Sequence, residues 1–541
     1  MATTYAQTTR TAFSLWRSVV AEGGSAPAYL EEHADGWTPV SWPETAARVE
    51  ALAQGLLARG VRPGDAVAVL SRTRLEWVLL DWAIMSIGAV VVGLYPTNSA
   101  KECEYILSHS ETVLVFVEND EQRAKLASVY SGPVVGFDEL DEFAQPDRSE
   151  PYDEPAEDDL ATLIYTSGTT GPPKGCMLTH KNLVTAAIRV QNTLQDETDS
   201  VLLFLPMAHS FARIVHQGAA FHGSTLALVS DATRVPEALA RVKPTILPAV
   251  PRVYEKIHAN VVGEIERSSG LKRAIGRWAL RVGAKNPIAD TLVFKKVRAR
   301  LGGRLRLGIS GAAPLGVDVM EFFHSLGVPV IEGYGLTETS SSLSVNDPEN
   351  FRIGTVGHTV EGCELKLDDD GEILVRSDTV FAGYFKDPEA TAAAFTEDGW
   401  FRTGDVGEVD ADGFLKITDR KKDLIITAGG KNISPQNLEN ALKASRFVSQ
   451  ALVVGDRRPY VTALITLDPA EVDASGRDPQ ELVQTLVDEV NRDRVRVEQI
   501  KRFAILPRDF TQEDGELTPT LKLRRRVVHE HFADQIDQLY A

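Results

Sequence analysis

The chain has 541 residues, and 57 Lys and Arg against 76 Asp and Glu give a net charge of −19. Hydrophobic residues make up 43% and charged residues 25%, an ordinary globular mixture with apolar material for about two to four packed units and no need of disulfide or metal staples. A surface this acidic excludes broad gripping of a phosphate backbone, so no nucleic-acid partner is expected and any basic patch must be local.

The first third alternates helices and strands. Ser41-Trp-Pro-Glu44 reads as a capping box, and Val49, Leu52, Ala53, Leu56 and Leu57 follow at helical spacing until Gly60. A turn at Val61–Asp65 leads to a buried strand, Ala66–Leu70, then a helix over 75–87 closed by Gly88, a strand over 89–94, a helix over 100–108 and a strand over 112–117. This alternation predicts a parallel sheet covered on both faces. The longest apolar run, Trp82–Tyr95, is interrupted by Ser86, Gly88 and Gly93 and stops at Pro96, so no membrane span is expected. The N-terminus lacks a signal-peptide layout. Three scattered cysteines, Cys103, Cys176 and Cys363, exclude a disulfide framework and fit a reducing compartment, so a cytoplasmic location is expected. Peripheral contact with the inner membrane face and the oligomeric state stay open.

Residues 137–159 are acidic and carry three prolines, which reads as a solvated connector. Strand and helix signals continue to about residue 420. The last stretch changes rhythm: a helix from Pro435, a strand over 451–454, a turn over 455–459 and a strand over 460–467 make a small α+β unit.

The strongest chemical signal is Leu163-Ile-Tyr-Thr-Ser-Gly-Thr-Thr-Gly-Pro-Pro-Lys-Gly175. A strand enters a loop dense in glycine and hydroxyls with one lysine, a composition that suits phosphate oxygens. It is not a Walker loop, because Pro173 stands where the second glycine belongs and Gly175 where Ser or Thr would hold magnesium.

This loop resembles the phosphate loop of the adenylate-forming superfamily, which includes acyl-CoA synthetases, peptide-synthetase adenylation domains and luciferases. Six further segments resemble that family in order: Ser310-Gly-Ala-Ala-Pro314, Glu332-Gly-Tyr-Gly-Leu-Thr-Glu-Thr339, Trp400-Phe-Arg-Thr-Gly-Asp405, Thr418-Asp-Arg-Lys-Lys-Asp423, Ala428-Gly-Gly-Lys-Asn-Ile-Ser-Pro435 and Leu517-Thr-Pro-Thr-Leu-Lys-Leu-Arg524. The resemblance implies an α/β fold: a large multi-subdomain N-terminal domain over 1–420, with βαβ-rich sheets and a β-barrel-like part, and a small mobile α+β domain over 421–541.

It also implies roles. Thr166, Ser167, Gly168, Thr169, Thr170 and Lys174 would cradle phosphates. Gly311, Ala312, Glu332, Gly333 and Tyr334 would hold adenine, and Asp405 and Arg420 the ribose. Thr337 would contact the α-phosphate, Glu338 would hold Mg2+, and Lys522 would bridge the acyl carboxylate and the α-phosphate. The family turns its small domain about a hinge that falls at Lys422 here. That turn would withdraw Lys522 and bring Gly429, Gly430, Lys431 and Asn432 up as a thiol tunnel. Read singly, Glu338 could be a helix-start acid, Asp405 a turn residue, Tyr334 core and Lys522 a solvated lysine; their order in the chain favours the functional readings.

Leu205-Pro-Met-Ala-His-Ser-Phe-Ala-Arg213, Ala249–Lys256 and Thr339–Asn346 resemble the bacterial long-chain acyl-CoA synthetases. Amino-acid-activating relatives carry an acid near His209, and this chain has Ala208 and Ser210 instead. His209 would line the passage near the reacting carboxyl, or be a satisfied helix histidine. Gly218, Ala219, Ala220 and Gly223 could leave room for an acyl tail or serve tight packing. Arg457, Arg458, Lys431 and Arg524 to Arg526 are candidates for the coenzyme A 3′-phosphate. The implied reaction is ATP + fatty acid + coenzyme A → acyl-CoA + AMP + pyrophosphate. The alternatives are a fatty acyl-AMP ligase serving a separate carrier protein, a medium-chain or aryl acid ligase, and a non-catalytic acyl-nucleotide sensor. No carrier domain is expected after residue 541.

Overall fold

A computed structural model describes residues 11–23, 27–166, 172–191, 198–341, 343–426, 432–492, 494–518 and 522–541. Two large sheets dominate. The first has seven strands in the order 383–384, 174–179, 160–166, 90–94, 66–70, 114–117 and 134–136; the last five are parallel and the first two run antiparallel at one edge. Ala66–Leu70, Val90–Leu94 and Leu114–Val117 are buried along their whole length, as strands covered on both faces must be. The second sheet has nine strands, with 330–334, 307–310, 246–249, 200–203, 225–228 and 27–33 forming a parallel run at its centre.

One apolar core joins facing residues of both sheets, including Val67, Val91 and Ile164 from the first and Leu203, Leu226 and Ile331 from the second. Helices Leu75–Ser86 and Ser210–Phe221 are buried on every side, the pattern of helices enclosed by a large core. The apolar run Trp82–Tyr95 is therefore no spanning helix: it is the end of one buried helix followed by strand Val90–Leu94.

The expected barrel-like part is a four-stranded antiparallel sheet, 364–367, 372–376, 401–409 and 415–420. Its last strand also exchanges backbone bonds with Val356 and Gly357. After 420 the chain builds a two-stranded ribbon (425–426 with 432–433) and a three-stranded sheet (448–454, 461–467, 500–505) covered by helices 435–443, 479–491, 525–531 and 533–540.

Two local readings need correction. Ser41 does cap helix Trp42–Ala58, accepting from Glu44 N at 3.3 Å, but only this half of the expected box forms. The full reciprocal pair occurs instead at Ser99 and Glu102, ahead of helix Ala100–His109. The acidic connector is not uniformly solvated: Phe137, Leu140 and Phe143 are buried in a short helical segment, because these apolar residues at i, i+3 and i+6 meet the core of the first sheet.

A buried polar network ties the layers together. Arg213 donates to Asp81 at 2.5 Å and to Thr162 Oγ1 at 3.0 Å, and Thr162 donates to Val91 O. Asp81 and Arg213 have side chains 0% and 1% exposed. Tyr29 OH accepts from Trp82 Nε1 and lies 3.0 Å from His216 Nε2, so its proton faces the imidazole. Burial, reinforced by the Arg213 charge, pushes His216 down to about 3, so the ring stays neutral. Arg213→Met should therefore lower the unfolding free energy by about 3–5 kcal/mol, because it strands a buried carboxylate. Denaturant titration reads the loss, and pairing it with Asp81→Asn should recover most of it. A single-variant loss below about 1 kcal/mol, the worth of an exposed pair, would contradict this.

Candidate active site

A single cavity of about 2280 Å³ opens between the second sheet, the four-stranded sheet and the C-terminal unit. Thr166, Lys174, His209, Gly311, Ala312, Glu332, Gly333, Tyr334, Thr337, Glu338, Asp405, Arg420, Lys422 and Lys522 all line it. Ser167, Gly168, Thr169, Thr170, Gly429, Gly430 and Lys431 lie outside the described residues. Asn432 is placed only as backbone, paired with Ile426 in the ribbon.

The parallel strands of the second sheet end at this cavity. Strand Leu307–Ser310 runs into Gly311 and Ala312, and Ala312 takes φ +71°. A Cβ on Gly311 would come within 3.1 Å of the Phe211 ring, so only glycine fits there without displacing it. Strand Val330–Tyr334 places Glu332 with Oε1 accepting from Leu315 N at 2.8 Å. Burial pushes Glu332 up to about 7 against that bond. Its backbone bond pins the 311–315 turn to the neighbouring strand.

Tyr334 donates its hydroxyl to Asp405 Oδ2 at 2.8 Å. Burial and the Asp405 charge hold the phenol well above its usual range, so it remains a donor. Asp405 and Arg420 are direct cross-strand partners, with Nε to Oδ1 at 3.2 Å. Gly404, at φ +70°, lets the chain bend ahead of Asp405. Burial raises the Asp405 carboxyl, with Arg420 and Tyr334 opposing.

Thr337–Thr339 is one 3-10 turn, followed by Ser340 and Ser341 in left-handed conformations. Thr337 Oγ1 lies 3.3 Å from Ser210 Oγ, and Ser341 donates to Ser210 at 2.6 Å. Glu338 accepts from Tyr384 OH at 2.8 Å. The Tyr384 ring also carries Lys174 Nζ 4.9 Å above its centroid, and Lys174 reaches Asp387 at 3.8 Å. Sequence reasoning missed Tyr384, Ser210, Ser341 and Asp387; the one hint for Tyr384 was Gly383, whose φ of +130° turns the chain there.

His209 is the N-cap of helix Ser210–Phe221, and its Nδ1 accepts from Phe211 N at 3.1 Å. Burial, then the nearby Lys522 charge, pushes it down to about 3. A neutral ring with Nδ1 accepting carries its proton on Nε2. His209 is thus satisfied by the helix end and also lines the cavity.

Lys522 is bonded to Thr518 twice, with Thr518 N donating to Lys522 O at 2.8 Å and Lys522 N donating to Thr518 Oγ1 at 3.0 Å. Burial pushes its ammonium down to about 8; Arg420 adds to this, while Asp405 and Glu338 oppose it. The exposed turn carrying Lys422 follows strand Leu415–Arg420 directly. Its neighbour Lys421 is clamped to Asp370 at 2.5 Å and Glu372 at 2.9 Å. Those acids, with Asp368, are the one metal-sized carboxylate trio among the described residues, and Lys421 and Arg402 occupy it.

Two groups of candidates fare differently. Gly218, Ala219 and Ala220 are buried in the helix interior, whereas Phe211, Ile214 and Val215 line the cavity, so the small residues serve packing. Arg525 is held bidentately by Glu439 at 2.7 Å and Arg458 by Asp537 at 2.7 Å, which ties both to the small unit itself. Arg524 and Arg526 line the cavity, as does Arg457, whose side chain is 92% exposed.

The AMP-binding enzyme family matches residues 16–385, and its C-terminal domain family matches residues 422–541. The long-chain-fatty-acid–CoA ligase FadD15 of Mycobacterium tuberculosis is 41% identical over 559 residues, covering 93% of this chain and 92% of that protein. The long-chain-fatty-acid–CoA ligase ACSBG2 of Xenopus laevis is 32% identical, covering 98% and 84%. Among solved structures, the adenylation domain of a carboxylate reductase from Mycobacterium chelonae superposes with a TM-score of 0.82 at 26% identity, covering 98% of this chain and 91% of that chain. The chain belongs to the AMP-binding enzyme family.

Proposed function

We propose that this protein is an ATP-dependent acid–thiol ligase that activates a long-chain fatty acid as acyl-AMP and transfers the acyl group to coenzyme A. The observation that carries the reading is the meeting of Lys522, Arg420, Asp405, Tyr334 and Glu338 in one cavity of an AMP-binding enzyme. Relatives named as long-chain-fatty-acid–CoA ligases support the substrate class.

A carboxylate oxygen attacks the α-phosphorus and pyrophosphate leaves. The coenzyme A sulfur then attacks the acyl carbon, its proton passes to solvent, and AMP leaves with the bonding pair. The first step brings two anions together, so fixed positive charge must offset their repulsion. Lys522 supplies that charge between carboxylate and α-phosphate. Lys174 and the hydroxyls from Thr166 onward hold the distal phosphates, and Thr337 donates to the α-phosphate. Tyr334, Gly311, Ala312, Glu332 and Gly333 frame adenine, and the Asp405–Arg420 pair takes the ribose hydroxyls. His209 offers an Nε2–H beside the reacting carboxyl. Glu338 fits Mg2+: a single hard carboxylate facing a roomy cavity suits a cation that keeps waters and shares substrate phosphates. When bound, the ion adds charge against the phosphates. The second step needs the small domain, 421–541, to turn against the large domain, 1–420, about Lys422, which brings Gly429 to Asn432 to the thiol path.

AMP release from a panel of fatty, aryl and amino acids, with and without coenzyme A, tests substrate class and acceptor together. Turnover should be greatest with long fatty acids and should yield the thioester only with the thiol; amino-acid-selective release would refute the reading. Lys522→Ala should slow adenylation by about 10²-fold, roughly 3 kcal/mol, and largely spare thioester formation from supplied acyl-AMP. In the native enzyme, kcat/KM for adenylation should fall as pH rises through about 8, because the ammonium is the active form. Lys522→Arg should move that fall upward. Lys422→Pro should impair thioester formation more than adenylation, and unchanged overall turnover would remove the hinge from the mechanism.

A further inference from the structure

In a chain of net charge −19, residues 270–300 carry nine Lys or Arg against one acid, Asp290. They form helix Gly270–Val282, a short turn of helix at Pro287–Ala289, a π-helical stretch at Asp290–Phe294 and helix Lys295–Arg300. The same segment holds the densest group of exposed large apolar side chains among the described residues: Leu271 76%, Trp278 37%, Val282 37%, Ile288 62% and Leu292 46% exposed. Leu271, Trp278 and Val282 recur at i, i+7 and i+11, one stripe of the helix. The opposite side packs closely on helix Pro251–Arg267, where a Cβ on Gly276 would come within 2.6 Å of Ile265. Among the described residues, Lys272, Arg281, Lys285, Lys295 and Lys296 are exposed and enter no ion pair with a carboxylate.

We propose that this segment is a docking surface for an anionic phospholipid bilayer. Exposed Trp, Leu and Ile beside unpaired Lys and Arg match the chemistry of a membrane interface: the apolar side chains enter the acyl boundary while the cations meet headgroup phosphates. Charge complementarity selects this occupant, since the rest of the chain is strongly acidic and is repelled by the same bilayer. The surface is joined to the cleft. Helix Pro251–Arg267 begins at the cavity wall, with Pro251, Arg252 and Glu255 lining it, and ends about 25 Å away at the basic segment. Docking there sets the cavity close to the lipid phase that holds a sparingly soluble acyl chain.

The test is co-sedimentation of the full chain with vesicles of phosphatidylcholine alone or mixed equally with phosphatidylglycerol, across a salt series. Binding should require the anionic lipid and weaken as salt rises. The variant Lys272→Gln, Arg281→Gln, Lys285→Gln, Lys296→Gln should bind at least 100-fold more weakly, since each cation near an anionic surface is worth about fivefold, or ~1 kcal/mol. Leu271→Ser with Ile288→Ser should reduce binding that persists at high salt. Both variants should keep wild-type AMP release with a soluble shorter fatty acid, a readout that tests the ligase reading separately. Equal binding to neutral vesicles, undiminished binding by the four-site variant, or a wild-type dimer that this variant dissolves would overturn the proposal.

Discussion

The architecture depends on one ion pair that water does not reach. Arg213 and Asp81 sit on two helices enclosed by the core, and Arg213 reaches on through Thr162 to the backbone of strand Val90–Leu94. The pair sets the position of helix Ser210–Phe221 against the first sheet. The start of that helix carries His209 and Ser210, and Ser210 is bonded to Thr337 and Ser341 in the turn that follows strand Val330–Tyr334. A charge pair of this kind contributes little net stability beyond an apolar pair of equal size. Its value is directional: it admits one seating of the helix, and the cavity inherits that seating.

From this anchor, the site is assembled from ends of elements. The parallel strands of the second sheet stop at the cavity, and their carboxyl ends supply Gly311, Ala312 and Tyr334. The antiparallel sheet contributes Asp405 and Arg420 as cross-strand neighbours. Loops held by buried bonds, such as Glu332 to Leu315, give precision without needing regular structure. The cationic groups then arrive from two directions, Lys174 from the first sheet and Lys522 from the C-terminal unit. Burial, with the Arg420 and Lys422 charges beside it, makes Lys522 hold its proton less firmly than a free lysine.

Most candidate residues that line the cavity were legible in the sequence because they stand in short motifs of glycine and polar residues at or near strand ends. Strands such as Ala66–Leu70 were legible because burial on both faces leaves an unbroken apolar run. What was not legible arises from contacts between distant segments. Tyr384 lies 46 residues from Glu338 in the chain, and nothing local announces that its hydroxyl will meet that carboxylate. Arg525 looks like any solvated arginine until Glu439, 86 residues earlier, closes on it. The acidic connector misled in the opposite way, because its charge count concealed Phe137, Leu140 and Phe143 spaced for a core.

The Glu439–Arg525 pair has a consequence of its own. It binds helix Pro435–Lys443, which follows Asn432 closely in the chain, to helix Arg525–His531, which follows Lys522 closely. Lys522 and the start of helix Pro435–Lys443 are thereby held at a set spacing within the C-terminal unit. In the proposed reaction, a turn of this unit that brought one of them to the cavity would carry the other away, so this one pair of side chains would set the order of the two chemistries, like an escapement that releases one tooth only as it engages the next.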